Sequence, residues 1–322
     1  MAENHIADTS SFEAYLQSHP FKGQPENLYS AMNYIMQLGG KRLRPQLVLL
    51  AFESVAGKLT DEAFKLALAI ETFHNFSLVH DDIMDNAPIR RGKPSVHEKW
   101  GNGTAILTGD NLLISCYALL LSTGFDRKEQ LLKEFTQMAI EVCEGQQMDM
   151  NVPVDEKAYL GMIRLKTAVL PACAMKIGAL AAGAGTEKAD QFYGFGMNLG
   201  MAFQLQDDYL DCFGDVAETG KQAGGDIIEN KKTILYHHAL LHLNDRSKAA
   251  LITYFNNYTG DAGHKVERVR DLFREAGSDT YVLNVKKEYE DKALHFLDRA
   301  CPDGKSRNTL FQLFSFLQTR RK

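Results

Sequence analysis

Apolar residues recur along most of this chain at intervals of three and four positions, the spacing of one face of an α-helix. The clearest stretches read NLLISCYALLLSTGF and KAALITYFNNY, and repeats of this kind predict helices rather than strands. The 8 prolines are few, and Pro45, Pro88, Pro94, Pro153 and Pro171 fall near predicted helix ends or kinks. No linker, low-complexity tract or internal repeat of fixed period interrupts the pattern. We therefore predict an all-α fold and a single helical domain over residues 1–322.

The sequence indicates where two of the predicted helices begin and end. The first begins with Thr60 as its N-cap, followed by acidic residues in the first turn that complement the helix dipole, and it stops before Pro88. The second spans roughly 189–211. Three glycines inside it each cost about 1 kcal/mol of helix propensity against alanine, which predicts close helix packing or room for a ligand.

A glycine-rich loop, FGDVAETGKQAGGDIIENKKT, follows the second helix. Glycine clusters of this length between periodic segments are typical of loops. We predict a mobile flap that carries Lys221, with Lys231 and Lys232 on the helix that comes next.

The same acidic pattern closes both helices, as LVHDDIMDNAP and as FQLQDDYLDCF. Carboxylates at positions i and i+4 of a helix are neighbours about 5–6 Å apart. Two like charges roughly 4 Å apart repel by about 4 kcal/mol at an effective dielectric near 20, so a cation is needed to offset them. Magnesium takes oxygen ligands and is held by one or two carboxylates plus substrate phosphates. The predicted metal ligands are Asp81, Asp82, Asp85, Asp207, Asp208 and Asp211.

Basic residues lie beside the first acidic motif. Arg90 and Arg91 follow Asp85 by five and six positions, so guanidinium groups and carboxylates are close in space whatever the fold. Arginine binds phosphate oxygens bidentately. His74 lies two helical turns before Asp81, on nearly the same helix face. Metal-binding carboxylates beside such cations indicate a substrate with a diphosphate group.

Six motifs together resemble one known family. GGKRLRP, LVHDDIMDNAPIRRG, GQQMD, LKT, FQLQDDYLD and GKQAGGDIIENKKT are similar, in this order and over about residues 30 to 240, to motifs of the trans-prenyltransferases, the head-to-tail isoprenyl diphosphate synthases. The resemblance implies an all-α barrel of antiparallel helices around a deep cavity, with the two acidic motifs facing each other across its mouth. It also implies a homodimer and three Mg²⁺ ions, with Mn²⁺ as the alternative metal.

The resemblance assigns roles to individual residues. Asp81, Asp85 and Asp207 would be the main metal ligands, with Asp82, Asp208 and Asp211 in support. The allylic diphosphate would lie against Arg90, Lys166, Lys221 and Lys231, and isopentenyl diphosphate against Lys41, Arg44, His74 and Arg91, with Phe203 on its apolar part. Thr167 and Gln204 would lie near the reacting carbons, and Gln146 and Asp149 would support them.

Product length is predicted from the helix that precedes the first acidic motif. Ser77, one turn below the carboxylates, is small and leaves a channel open, whereas Phe73 lies two turns below. In the family the residue five before the motif often acts as the floor of the channel that holds the growing product, and here that residue is Phe76. Both phenylalanines could equally be ordinary core residues. A single aromatic floor predicts a short-chain product, with geranylgeranyl diphosphate favoured and farnesyl diphosphate next.

Composition and charge narrow the class of protein. With 322 residues and 45% apolar composition the chain can bury a large core, and a net charge of −5 gives no support for nucleic-acid binding. The start lacks the layout of a signal peptide and no run of 18 apolar residues occurs, so we expect a cytoplasmic protein without stable membrane insertion. The 5 scattered cysteines, without a CxxC, are expected to be reduced core thiols.

The predicted function is magnesium-assisted condensation of isopentenyl diphosphate with an allylic diphosphate by a prenyltransferase. A long-chain polyprenyl diphosphate synthase is the first alternative. A non-catalytic partner subunit of a prenyl synthase is an alternative from another class, although such subunits tend to lose acidic residues and all six are present. A terpene cyclase is disfavoured because its second metal motif usually has a different composition.

Overall fold

The computed structural model describes residues 9–214, 224–302 and 304–318. Over these residues the chain is overwhelmingly helical, which confirms the predicted all-α class. The helices are α1 (Thr9–Ser18), α2 (Glu26–Gln37), α3 (Leu43–Ala56), α4 (Asp61–Met84), α5 (Val96–Trp100), α6 (Asn102–Ser122), α7 (Lys128–Met150), α8 (Glu156–Ile163), α9 (Val169–Ala181), α10 (Thr186–Phe213), α11 (Gly225–Ile228), α12 (Ile234–His242), α13 (Asp245–Asn256), α14 (Ala262–Glu275), α15 (Ser278–Ala300) and α16 (Gly304–Gln318). A π-helical turn, Arg164–Ala168, joins α8 to α9.

The described residues divide into two compact units. The first unit comprises 9–136, 173–193 and 304–309, and the second comprises 137–172, 194–214, 224–302 and 310–318. Each unit is described by itself below. The single-domain organisation over 1–322 stays a prediction.

Helix α4 is the central element of the first unit. Thr60 caps it as predicted, with its side-chain oxygen accepting from the backbone N–H of Ala63 at 3.3 Å, and such a cap contributes about 1 kcal/mol. The helix packs against α3 and α6 and buries residues around most of its circumference. An all-round apolar helix of this kind belongs in a core. It ends at Met84, before Pro88 as predicted, so the first acidic motif lies at its C-terminus.

A short hairpin follows the first acidic motif. Strands β1 (Ile89–Arg90) and β2 (Lys93–Pro94) pair antiparallel, and they are the only strands within 9–214, 224–302 and 304–318. Arg91 and Gly92 form the two-residue turn, with φ of 53° and 73°. Two consecutive positive φ angles are the signature of a type I′ turn, whose twist matches the flanking strands. The side chains of Arg90 and Arg91, although adjacent in the sequence, therefore point in different directions.

Helix α10 carries the second acidic motif in the second unit. It spans Thr186–Phe213, beginning three residues before and ending two residues after the predicted 189–211. The prediction that Lys231 and Lys232 lie on a helix is wrong. They lie between α11 and α12, because Asn230 adopts a left-handed conformation (φ 59°) after α11, and Thr233 is the N-cap of α12.

Helix α6 differs from the other described helices in its surface. Among the residues that the structure describes, it alone has the length and hydropathy of a membrane span by composition, and about a third of the relevant window is buried. Exposed on it are Ile106, Leu107, Ile114 and Leu121. Leu107, Ile114 and Leu121 are seven residues apart and therefore share one helix face.

Candidate active site

The first acidic motif separates its three carboxylates by their surroundings. Asp81 and Asp85 lie one turn apart, and the backbone N–H of Asp85 donates to the Asp81 carbonyl at 2.8 Å. Asp85 is exposed and Asp81 half-buried. Asp82 is fully buried, and its Oδ1 accepts from Nε of Arg90 at 2.9 Å. The motif thus offers two accessible carboxylates, while the third is ion-paired within the protein.

A cationic group of side chains forms beside α4. The guanidinium Nη1 of Arg44, on the first turn of α3, lies 3.2 Å from Nε2 of His74. Arginine can only donate, so this nitrogen of the imidazole accepts and carries no proton. Burial, and then the charges of Arg44 and Arg91, hold the pKa of His74 well below its usual value of 6.5. The structure therefore brings Arg44 and His74 into contact, as the sequence predicted for the isopentenyl diphosphate site.

Arg91 and Lys41 belong to the same neighbourhood. The guanidinium of Arg91 donates to the carbonyl of Gly39, two residues before Lys41. This bond connects the hairpin turn to the GGKRLRP segment. Lys41 is exposed. All four cationic or imidazole groups predicted to bind isopentenyl diphosphate thus come from one part of the first unit.

Arg42 was not singled out from the sequence, although it lies between Lys41 and Arg44, two residues predicted to bind substrate. Its guanidinium donates to Glu13 from Nε at 2.6 Å, to Glu71 from Nη1 at 2.6 Å and to the Met36 carbonyl from Nη2 at 2.7 Å. The side chains of Arg42 and Glu71 are 1% and 2% exposed. A glutamate inside the apolar run ALAIETF was the available signal, because a charge in a buried helix needs a partner.

The second acidic motif holds its middle carboxylate differently. Asp208 is buried, and its two oxygens accept from the hydroxyl of Tyr159 and, at 3.0 Å, from Nε2 of Gln204. Both donors are neutral. Burial, and then the carboxylate of Asp226, raises the pKa of Asp208 from 3.8 to about 8. Tyr159 was missed, since a tyrosine 49 residues away along the chain gives no signal in the sequence.

The π-helical turn presents two predicted site residues. Nζ of Lys166 lies 2.5 Å from Oδ2 of Asp149, and Oγ1 of Thr167 donates to Oε1 of Gln204 at 3.2 Å. Thr167 and Gln204 are thus in contact, whereas Asp149, predicted to support them, pairs with Lys166 instead. π-turns are rare and are frequently found at functional sites.

A cavity of about 250 Å³ opens onto these groups within the second unit. It is lined by Lys166, Thr167, Gln204, Asp208 and Lys231, together with Asp149, Val152, Pro153, Tyr159, Met162, Ile163, Asp226, Glu229, Asn230, Lys232 and Thr233. Lysines in a pocket that also contains hydroxyl and amide groups suit a phosphorylated ligand. Six residues predicted for the site, Asp149 among them, therefore share one cavity.

The remaining predicted residues have simpler surroundings. Asp211 accepts from the backbone N–H of Asp226 at 2.8 Å, so it also caps the start of α11. Nζ of Lys231 lies 2.9 Å from Glu229. Asp207 and Phe203, on α10, are half-buried. Lys221 lies outside the described residues.

Comparison with known proteins identifies the family. A sequence model of the polyprenyl synthetase family matches residues 25–275. This chain belongs to that family. The trans-prenyltransferase resemblance is thereby confirmed, and the chain is an enzyme that transfers prenyl groups.

Individual relatives agree with the family assignment. A geranylgeranyl diphosphate synthase from Methanosarcina mazei is 37% identical over 305 residues, covering 92% of this chain and 91% of that protein. A geranylfarnesyl diphosphate synthase from Natronomonas pharaonis is 35% identical over 319 residues, with coverage of 92% and 91%. A geranylgeranyl pyrophosphate synthase of known crystal structure superposes with a TM-score of 0.91 at 40% identity, covering 97% of this chain and 98% of the other.

Metal binding is the chemistry that the carboxylates of this chain suit best. Asp81 with Asp85, and Asp207 with Asp211, each provide oxygen donors one turn apart on one helix face. Oxygen-only donor sets fit hard cations such as Mg²⁺. Within 9–214, 224–302 and 304–318, however, no three His, Cys, Asp or Glu residues are grouped closely enough to hold an ion by themselves. The donor set therefore fits a metal whose remaining ligands come from substrate and water.

The predicted chain-length residues lie in an aromatic cluster of the first unit. The ring of Phe73 lies 5.3 Å from that of Phe76 and 5.4 Å from that of Phe135, centroid to centroid. Phe73 is fully buried, while Phe76 is 7% exposed. Ser77 is half-buried, and its hydroxyl donates to the His74 carbonyl at 2.9 Å. Phe76 is thus the more accessible of the two rings.

Proposed function

We propose that this chain condenses isopentenyl diphosphate with an allylic diphosphate and releases a short-chain all-trans isoprenyl diphosphate. Membership of the polyprenyl synthetase family supports the reaction class. The observation that carries the proposal is the cavity that gathers Lys166, Thr167, Gln204 and Lys231. Geranylgeranyl diphosphate is the favoured product and farnesyl diphosphate the next.

The allylic substrate would be bound through its diphosphate. In this proposal Lys166 and Lys231 neutralise the diphosphate as it leaves, where negative charge develops. Asp81, Asp85 and Asp207 would be the principal ligands of three Mg²⁺ ions, with Mn²⁺ as the alternative. Bound metal would supply further positive charge to the leaving group. The Thr167 hydroxyl, oriented by Gln204, would contact the substrate next to its reacting carbon.

The second substrate would be bound in the first unit. Arg44 and Arg91 offer planar guanidinium groups suited to bidentate phosphate binding, and Lys41 adds a point charge. His74 accepts from Arg44 and so orients its guanidinium. Because the pKa of His74 is low, its imidazole is neutral and donates one hydrogen bond without adding charge.

Turnover of defined substrates tests the reaction. The protein is incubated with Mg²⁺, isopentenyl diphosphate and each of three allylic primers, and the products are separated by chromatography. Asp81→Asn is expected to lower kcat at least about 100-fold, because it removes a carboxylate that would hold the metal which stabilises the departing diphosphate. Asp126→Asn, an exposed carboxylate of the same unit, is the control and should retain kcat. Absence of product with every primer would exclude catalysis and favour a non-catalytic partner subunit.

Product length is tested at the aromatic cluster. Phe76→Ala is expected to lengthen the product by at least one five-carbon unit, because Phe76 is the more accessible ring. Phe73→Ala removes a fully buried ring and is expected to cost about 3–5 kcal/mol of stability, with a smaller change in product. If neither variant lengthens the product, the floor lies elsewhere. A wild-type product longer than 25 carbons would favour the long-chain alternative.

The exposed face of α6 supports a homodimer. Leu107 and Ile114 are 59% and 67% exposed, and contiguous apolar surface of this kind is typical of interaction sites. Light scattering of the wild type should give twice the chain mass, and Ile114→Glu should shift the protein toward monomer. Ile252→Glu, at an exposed position on α13, is the matched control. We also propose a cytoplasmic location, which cell fractionation would test.

A further inference from the structure

The π-helical turn Arg164–Ala168 is enclosed by two other helices of the second unit. Its defining hydrogen bond runs from the backbone N–H of Val169 to the carbonyl of Arg164, five residues earlier. Helix α7 contacts the turn on one side and helix α10 on another. At each contact the neighbouring helix presents a buried glycine, Gly145 or Gly200.

Neither glycine can be replaced without moving backbone. A Cβ on Gly145 would lie 2.2 Å from the backbone N of Lys166 and 2.6 Å from the carbonyl carbon of Leu165. A Cβ on Gly200 would lie 2.7 Å from Cα of Ala168. These neighbours are main-chain atoms, which no side-chain rotation can relieve. Neither glycine has a positive φ, so the requirement is space rather than backbone conformation.

Each glycine lies one helical turn before the polar residue that holds a side chain of the turn. Gly145 precedes Asp149 by four residues, and Asp149 pairs with Lys166 at 2.5 Å. Gly200 precedes Gln204 by four residues, and Gln204 bonds Thr167 at 3.2 Å. Residues at i and i+4 share a helix face. Close approach at the glycine therefore sets the distance at the polar contact.

We propose that Gly145 and Gly200 are positioning residues that place Lys166 and Thr167 in the cavity. An added Cβ at either position displaces the π-turn by the order of an ångström and opens the polar contact on the same face. The catalytic consequence rests on the proposed function of Lys166 and Thr167. A misplacement of about 1 Å in an active site costs up to about 100-fold in rate.

The test compares four glycine-to-alanine variants. Gly145→Ala and Gly200→Ala are expected to lower kcat by at least 10-fold, while KM for isopentenyl diphosphate changes less than twofold. Gly161→Ala is the benign control, since a Cβ there would meet only Cε of Met148 at 3.7 Å. Gly178→Ala controls for destabilisation alone. Its Cβ would lie 2.4 Å from the Val48 carbonyl oxygen in the first unit.

A double-mutant cycle separates positioning from packing. If Gly145 acts through the Asp149–Lys166 pair, Gly145→Ala should lower kcat less than threefold in an Asp149→Asn background. The proposal is overturned if Gly145→Ala and Gly200→Ala lose activity only in proportion to their unfolded fraction, as Gly178→Ala does, or if the cycle is additive.

A crystal structure of Gly145→Ala decides the positioning independently of turnover. The expected distance from Nζ of Lys166 to Oδ2 of Asp149 exceeds about 4 Å, the limit for an ion pair. An unchanged 2.5 Å would overturn the proposal. A wild type that forms no product would instead refute the proposed function, and this structure would still decide the positioning.

Discussion

The two acidic motifs share one spacing in the sequence but hold their middle carboxylates by different means. Asp82 and Asp208 are both buried, at 0% and 3% exposure. Asp82 is paired with the positively charged Arg90, whereas Asp208 accepts from the neutral groups of Tyr159 and Gln204. A charged partner stabilises an ionised carboxylate, whereas hydrogen bonds from neutral donors offset only part of the free-energy cost of desolvation. The same motif therefore places its middle carboxylate in two different electrostatic surroundings.

The difference extends to the neighbourhoods of the two motifs. In the unit of the first motif, Arg42 connects separate segments by pairing with the buried Glu71 and with the half-buried Glu13. Around the second motif, hydrogen bonds from hydroxyl and amide groups connect the helices, and the ion pair of Lys166 with Asp149 is half-buried. Charge-neutralising mutations should therefore lower the free energy of unfolding near the first motif and raise it at Asp208.

The largest effect is expected at Arg42. Arg42→Met leaves the Glu71 carboxylate buried without its cation, and breaking a buried ion pair in this way costs about 3–5 kcal/mol. The free energy of unfolding is measured by urea denaturation. In the protein that remains folded, KM for isopentenyl diphosphate should rise, because Arg42 separates Lys41 from Arg44. Arg42→Lys keeps the charge but not the three donors and should be intermediate. Equal stability of Arg42→Met and wild type would contradict the comparison.

Features of the fold that depend on neighbouring residues could be predicted from the sequence. The Thr60 cap and the end of α4 before Pro88 follow from neighbouring residues, and both were confirmed. The bond between Tyr159 and Asp208 spans 49 residues and depends on how α8 packs on α10. The sequence RLKTA likewise has no signature of a π-helix, and the residues that the π-turn packs against, Gly145 and Gly200, are distant in the sequence. The site was predicted by motif, and its supporting contacts were not.

An intermediate effect, of opposite sign for the two motifs, is expected when the middle carboxylates are neutralised. At pH 7 and without metal, Asp82→Asn should destabilise by about 2 kcal/mol, because it weakens a charge-assisted hydrogen bond. Asp208→Asn should stabilise by on the order of 2 kcal/mol, because Asp208 must be protonated on folding at this pH. Urea denaturation measures both. Destabilisation of similar size by both variants would mean that the two carboxylates are equivalent.

The pH dependence of the Asp208 effect follows from its raised pKa. Its folded pKa of about 8 exceeds the ordinary 3.8, so its contribution to stability is fully present below pH 3.8 and is lost as pH rises toward 8. The gain from Asp208→Asn should accordingly shrink as pH falls from 7 to 4.5. A gain that stays constant over this range would show that Asp208 is ionised in the folded protein.

The smallest effect is expected at His74, where the pH dependence has the opposite sign. Its folded pKa lies below 6.5 because of burial and the nearby charges of Arg44, Arg91, Arg90 and Arg42. The unfolded chain therefore binds more protons, and stability is retained above pH 6.5 and lost as pH falls below it. His74→Gln keeps an acceptor for Arg44 without a titrating group, so relative to wild type it should gain about 1 kcal/mol between pH 7 and 5.5. Urea denaturation at both pH values measures this gain. A variant whose stability difference from wild type is the same at both pH values would show that His74 has an ordinary pKa. The nearby arginine charges would then not lower the pKa of the imidazole.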